Sequence, residues 1–151
     1  MSAIATVSIV PISLLPELGQ AAASGTYQKK LQEVSTSSST FRFSGFVLVT
    51  LLPVLEANYG IRLMGSYREL AQNLSRACGD TQVLLTDAER ASALVLLDTA
   101  KFSAEKLQKE YEEFNATPAK GIGEPMLGGI QFLRNALEIV SPETVAILKI
   151  G

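Results

Sequence analysis

The stretch TFRFSGFVLVTLLPVLEANYG, Thr40–Gly60, decides how this chain must fold. No charged residue lies between Phe43 and Leu55, and nine of those thirteen positions are Phe, Val or Leu. Each large apolar side chain left in water forgoes about 1.5–3 kcal/mol of burial energy, so other elements must cover this run. Two local readings compete. Phe41 and Phe43 alternate with Arg42, and Val47–Thr50 has strand propensity. Leu51, Leu52, Leu55 and Tyr59 follow helical spacing instead, and Gly60 stands where a glycine commonly ends a helix. Pro53 would sit inside that helix at a cost of about 3 kcal/mol. The favoured reading is a kinked, almost wholly buried helix over 44–58, with a strand as the alternative.

Downstream, the pattern becomes helical. Ser66 and Glu69 have the spacing of a capping box, and Tyr67, Leu70, Ala71 and Leu74 form one apolar stripe that Gly79 closes. Thr86 and Glu89 repeat that spacing and open a helix running to about Leu97. Ser103 caps the next helix, flanked by Phe102 and Leu107 at the two positions of a hydrophobic staple. Leu107, Tyr111 and Phe114 are its expected buried stripe. Glu124-Pro125 starts a last helix, with proline in the first turn. Its stripe is Met126, Leu127, Ile130, Leu133, Leu137 and Val140.

Strand signals lie at both ends. Ala3–Ile12 is β-branched and partly alternating, offering Ile4, Val7 and Ile9 or Val10 to a core. Ser13 is then placed to cap a short helix with Pro16 in its first turn, and Tyr27, Leu31 and Val34 mark another. Thr144–Ile150 is an uninterrupted strand pattern, and Thr81–Leu85 a shorter one. The hydroxyl run STSSST at 35–40 reads as a flexible loop. The expectation is a single α+β domain over 1–151, predominantly helical. A small sheet joins the N- and C-terminal strands at about 4–10 and 144–150.

Composition narrows the function classes. Apolar residues make up 47% of the chain and charged residues only 19%, with a mean hydropathy of +0.23. Charged residues average about 25% in soluble domains, so this surface is expected to carry apolar contact area. The net charge is −2, and Lys29-Lys30 is the only adjacent basic pair, which argues against nucleic acid as a partner. Met1–Ala23 is apolar but has no positive n-region, and Pro11, Pro16 and Glu17 interrupt it, so it does not read as a secretory leader. The apolar run is too short to span a bilayer, for which about 20 residues are needed. No membrane association is expected, and the location expected is cytoplasmic.

The chain contains no histidine and one cysteine. Ser-His-Asp and Cys-His nucleophiles are therefore excluded, as is a zinc site of ordinary composition. Cys78 falls at a predicted helix C-terminus, whose dipole disfavours a thiolate. Glu110, Glu112 and Glu113 do not converge on one ion, and Lys106 and Lys109 beside them suggest a solvated face. Asn115-Ala-Thr117 matches the glycosylation sequon, which a cytoplasmic protein does not use. No catalytic residue, metal site or cofactor is predicted.

The glycine-rich stretch Lys120–Gly129 matches neither the dinucleotide fingerprint nor the phosphate loop. Gly128 and Gly129 inside a helix cost about 2 kcal/mol relative to alanine, so close approach of another backbone, internal or from a partner, is expected. Gly121, Gly123, Glu124, Gly128 and Gly129 are the candidate partner-contact residues, with internal packing as the competing explanation. The function expected is a non-catalytic protein–protein interaction module, an accessory, regulatory or inhibitory partner of a larger protein. The alternatives are a self-assembling subunit of a homo-oligomer and, least favoured, a carboxylate- or lysine-dependent enzyme.

Overall fold

The computed structural model describes residues 3–63, 65 and 67–151. Strand β1 (Ala5–Pro11) leads through a 3-10 turn at Ile12–Leu14 into α1 (Leu15–Ala23) and α2 (Tyr27–Val34). Then follow β2 (Ser37–Thr40), α3 (Phe46–Tyr59), α4 (Arg68–Cys78) and β3 (Thr81–Leu85). Next come α5 (Asp87–Leu96), α6 (Ala104–Asn115), α7 (Gly123–Ile139) and β4 (Thr144–Ile150). The class is α+β and mostly helical, as the sequence predicts, with seven α-helices and a four-stranded sheet among the described residues.

The sheet order is β2-β1-β4-β3 and every pairing is antiparallel. The two chain-end strands are central neighbours, Ala5 opposite Ile150 and Pro11 opposite Thr144. Helices cover both faces, which is why β4 is apolar at successive positions rather than alternately. Ala146, Leu148 and Ile150 join the core under α3, α5, α6 and α7, together with Val7, Ile9, Val83 and Leu85. Val145 and Ile147 face the opposite way, into a smaller core with Val10, Leu84 and residues of α1, α2 and α4.

The run at 44–58 resolves as a helix. Gly60 takes the left-handed conformation that closes it, at φ 66°. Its burial is less complete than predicted. Val47, Leu48, Leu51, Val54 and Leu55 are buried, but Phe46 and Val49 are exposed. Pro53 leaves the Val49 carbonyl without its helical donor, and Val49 itself is an exposed residue of α3.

Other expectations need correction. Ser37–Thr40 is a strand rather than a loop, because β1 offers it a ladder: Thr6 faces Thr40 and Ile9 faces Ser37. Ile4 is 61% exposed and Phe114 51%, so neither belongs to the core. Ser13 lies in the 3-10 turn, and α1 has no side-chain cap. The Ser103 hydroxyl accepts the Lys106 amide at 3.1 Å as predicted, with Phe102 and Leu107 both buried beside it. The Thr86 hydroxyl instead donates to the Glu89 carboxylate and accepts no backbone amide of α5, so it does not cap that helix in the predicted way. Ser66, the predicted cap of α4, lies outside the described residues.

Candidate interaction surface

The sheet has two edge strands: β3, where the outward Gln82 amide donates to the Ser75 hydroxyl at 2.9 Å, and β2, where all four residues are exposed. The Phe41 amide donates to the Ala5 carbonyl at 2.9 Å. With Val7 opposite Ser39, this puts the odd-numbered residues in hydrogen-bonding register with β1. Antiparallel alternation then turns the N–H and C=O groups of Ser38 and Thr40 outward, away from β1. Four backbone groups form a short polar edge. It carries no charged residue, proline or helix cover, the usual devices that keep such an edge from pairing.

Beside this edge runs a recess of about 290 Å³, floored by Phe41, Gly128 and Phe132 and rimmed by Thr40, Arg42 and Asn135. Phe41 is buried and its ring lies 5.2 Å from that of Phe132 and 5.6 Å, edge-on, from that of Phe43. The Arg42 guanidinium sits 4.6 Å above the Phe43 ring. No carboxylate pairs with it among the described residues. On α7, Gly128, Phe132, Asn135 and the exposed Ile139 follow helical spacing along one face. The strand edge and the helix face together bound a groove.

The sequence-predicted contact residues separate into two groups. Gly128 reaches the groove. A Cβ there would lie 2.8 Å from Phe43, so the missing side chain is what lets that ring close over the helix. Gly129 is buried, and a Cβ would fall 2.7 Å from Leu51 and 3.1 Å from Leu48, which accounts for it by packing against α3. Gly121, Gly123 and Glu124 lie at the other end of α7, where it meets α6. Gly123 is buried there against the Ala104 backbone, while Gly121 (φ 64°) and Glu124 are exposed. Gln108 fixes this junction, its side-chain oxygen accepting the Ile122 and Gly123 amides at 2.8 and 3.0 Å.

Two polar clusters lie elsewhere. Tyr27 donates to Gln82 at 2.7 Å, Gln82 donates to Asp80 at 3.0 Å, and Asp80 pairs with Lys149 at 3.5 Å. Cys78 adjoins this set. Burial first, then the Asp80 charge, raises its thiol pKa, which leaves it a poor nucleophile. On the opposite face, the Tyr59 hydroxyl donates to both oxygens of Glu110 at 2.7 and 2.9 Å, with Lys106 over its ring at 5.1 Å. Among the described residues no three His, Cys, Asp or Glu side chains converge as metal ligands, and no helix is long and apolar enough to cross a membrane.

Ser38, Thr40, Phe132 and Asn135 were not singled out by sequence reasoning. Ser38 and Thr40 belong to a hydroxyl run whose composition is that of a loop, and Phe132 lies off the apolar stripe read for the last helix. No protein-family profile, curated protein or solved structure matches this chain. What defines it is its own geometry: a sheet covered by helices on both faces, with the exposed edge strand β2 lying beside a helix.

Proposed function

We propose that this protein is a non-catalytic interaction module, an accessory, regulatory or inhibitory partner of a larger protein. The observation that carries this reading is the β2 edge, exposed at all four residues, whereas the other edge strand, β3, is buried at four of its five and the faces are shielded by helices. Exposed Phe46, Val49, Val95 and Ile139 add apolar contact area around the molecule. Partner recognition fits these features better than catalysis does, because the polar clusters are consumed in internal hydrogen bonds and ion pairs. A cytoplasmic setting belongs to the same proposal, given a single cysteine that cannot form an internal disulfide.

Immobilised protein, cross-linked in extract of the native host, should retain a defined partner at fixed stoichiometry. Retention of nothing above a bare-resin control would sink the module reading. A self-assembling subunit is the second reading, favoured by the uncharged β2 edge, which a copy of itself can pair with. Light scattering at micromolar concentration separates the two: a closed or open polymer supports self-assembly, and a monomer supports the module.

A further inference from the structure

We infer that β2 takes an extended peptide as a fifth strand, and that the groove against α7 selects a peptide with a large apolar side chain followed by a carboxylate. This rests on the interaction-module reading and names the chemistry of the partner segment.

Backbone complementarity comes first. Ser38 and Thr40 turn two N–H and two C=O groups outward, enough for four ladder hydrogen bonds to an added strand. Side-chain direction comes next. Ser37, Ser39 and Phe41 pair with Ile9, Val7 and Ala5, which face the α7 side of the sheet. A peptide residue opposite Ser39 or Phe41 must therefore point to the same side, into the recess floored by Phe41, Gly128 and Phe132. That floor is apolar and wide enough for a Leu or Phe side chain. Arg42 on the rim has no carboxylate partner among the described residues, so an acidic group on the peptide meets an unpaired cation.

A second copy of this chain is the weaker occupant. Its β2 would bring only serine and threonine side chains to the recess, leaving the aromatic floor uncovered.

The test uses short fluorescein-labelled Ser/Thr-rich peptides read by anisotropy. One set carries a Leu or Phe with Glu two residues on, one replaces the apolar residue by Ala, and one replaces Glu by Lys. A fourth set moves the acid to the C-terminal carboxylate, so that side-chain and terminal sources are told apart. The Leu/Phe–carboxylate peptides should bind, and each replacement should weaken binding about tenfold, equivalent to about 1.4 kcal/mol. Ser38→Pro removes one outward N–H at an edge position where proline is tolerated, and Gln131→Trp fills the groove from an exposed helix site. Both should abolish binding with thermal midpoints unchanged. Arg42→Glu should transfer preference to the Lys peptides.

No binding to any set overturns the inference, as does binding that Ser38→Pro and Gln131→Trp leave intact. Dimerisation lost in Ser38→Pro but untouched by peptide also overturns it, in favour of self-pairing. If host-partner capture persists in Ser38→Pro, the module reading stands and the edge inference fails. If wild type captures no partner at all, the reading itself fails.

Discussion

Gly123 and Ala104 meet backbone to backbone. A Cβ on Gly123 would fall 2.7 Å from the Ala104 carbonyl carbon and closer still to its oxygen. No rotamer change relieves that contact, because the opposing atoms are main chain at the start of α6. Gly123→Ala should therefore destabilise by about 2–3 kcal/mol, at the upper end for overpacking. Gly128→Ala meets the edge of the half-buried Phe43 ring, a side chain that can turn aside, and the alanine regains about 1 kcal/mol of helix propensity, so it should cost less than Gly123→Ala. Urea midpoints of the two variants check the contrast. Equal midpoints would mean that the α6–α7 approach is looser than described.

Gln82 is 2% exposed and accepts the Tyr27 hydroxyl at 2.7 Å while donating to Asp80. Gln82→Leu strands the buried phenol, at a cost of about 1–3 kcal/mol. Adding Tyr27→Phe removes the stranded group, so the double variant should recover part of that loss. A double-mutant cycle in urea measures the coupling. Additive losses would place the two side chains out of contact.

Alkaline pH should weaken the fold through two phenols. Burial, then the Cys78 and Asp80 charges, raises the Tyr27 pKa above its ordinary value. Burial, then the hydrogen bond to Glu110, raises that of Tyr59. The folded state holds both protons more tightly than the unfolded chain does. Their stabilisation is therefore whole below about pH 10 and is lost as pH climbs through the folded-state ionisations. In a spectrophotometric titration Tyr27→Phe and Tyr59→Phe should each delete one late-ionising phenol. Deletion of an ordinary one would contradict the assignment.

Ser103→Ala should cost about 1 kcal/mol, the usual loss for an N-cap whose hydroxyl accepts a backbone amide. Ser103→Asp should preserve the cap and the helix N-terminal charge interaction. Thermal melts of the pair suffice, and equal midpoints for alanine and aspartate would refute a capping role.

Interactions within a few residues were readable from the chain. Ser103 and Lys106, Phe102 and Leu107, and the closing glycines Gly60 and Gly79 answer to local backbone chemistry, and all appear where expected. The stripe from Met126 to Val140 follows from helical period alone, and the strand patterns at the two ends likewise. Thr40–Gly60 was legible as an element that must be covered, but its local signals for helix and strand nearly balanced. Packing settled it: Leu48 and Leu51 close onto Gly129 in α7, a contact available only to a helix at that place.

The candidate site was almost wholly illegible. Gly128 was suspected from its cost inside a helix, yet whether a partner or this chain came close to it depended on Phe43, far away in sequence. Ser37–Thr40 has no apolar residue and no strand pattern of its own, so the β1 ladder alone makes it a strand. Hydrophobic period and capping are properties of neighbouring residues, and the chain carries them openly. An unpaired sheet edge and the helix face beside it exist only after segments distant in sequence have been brought together.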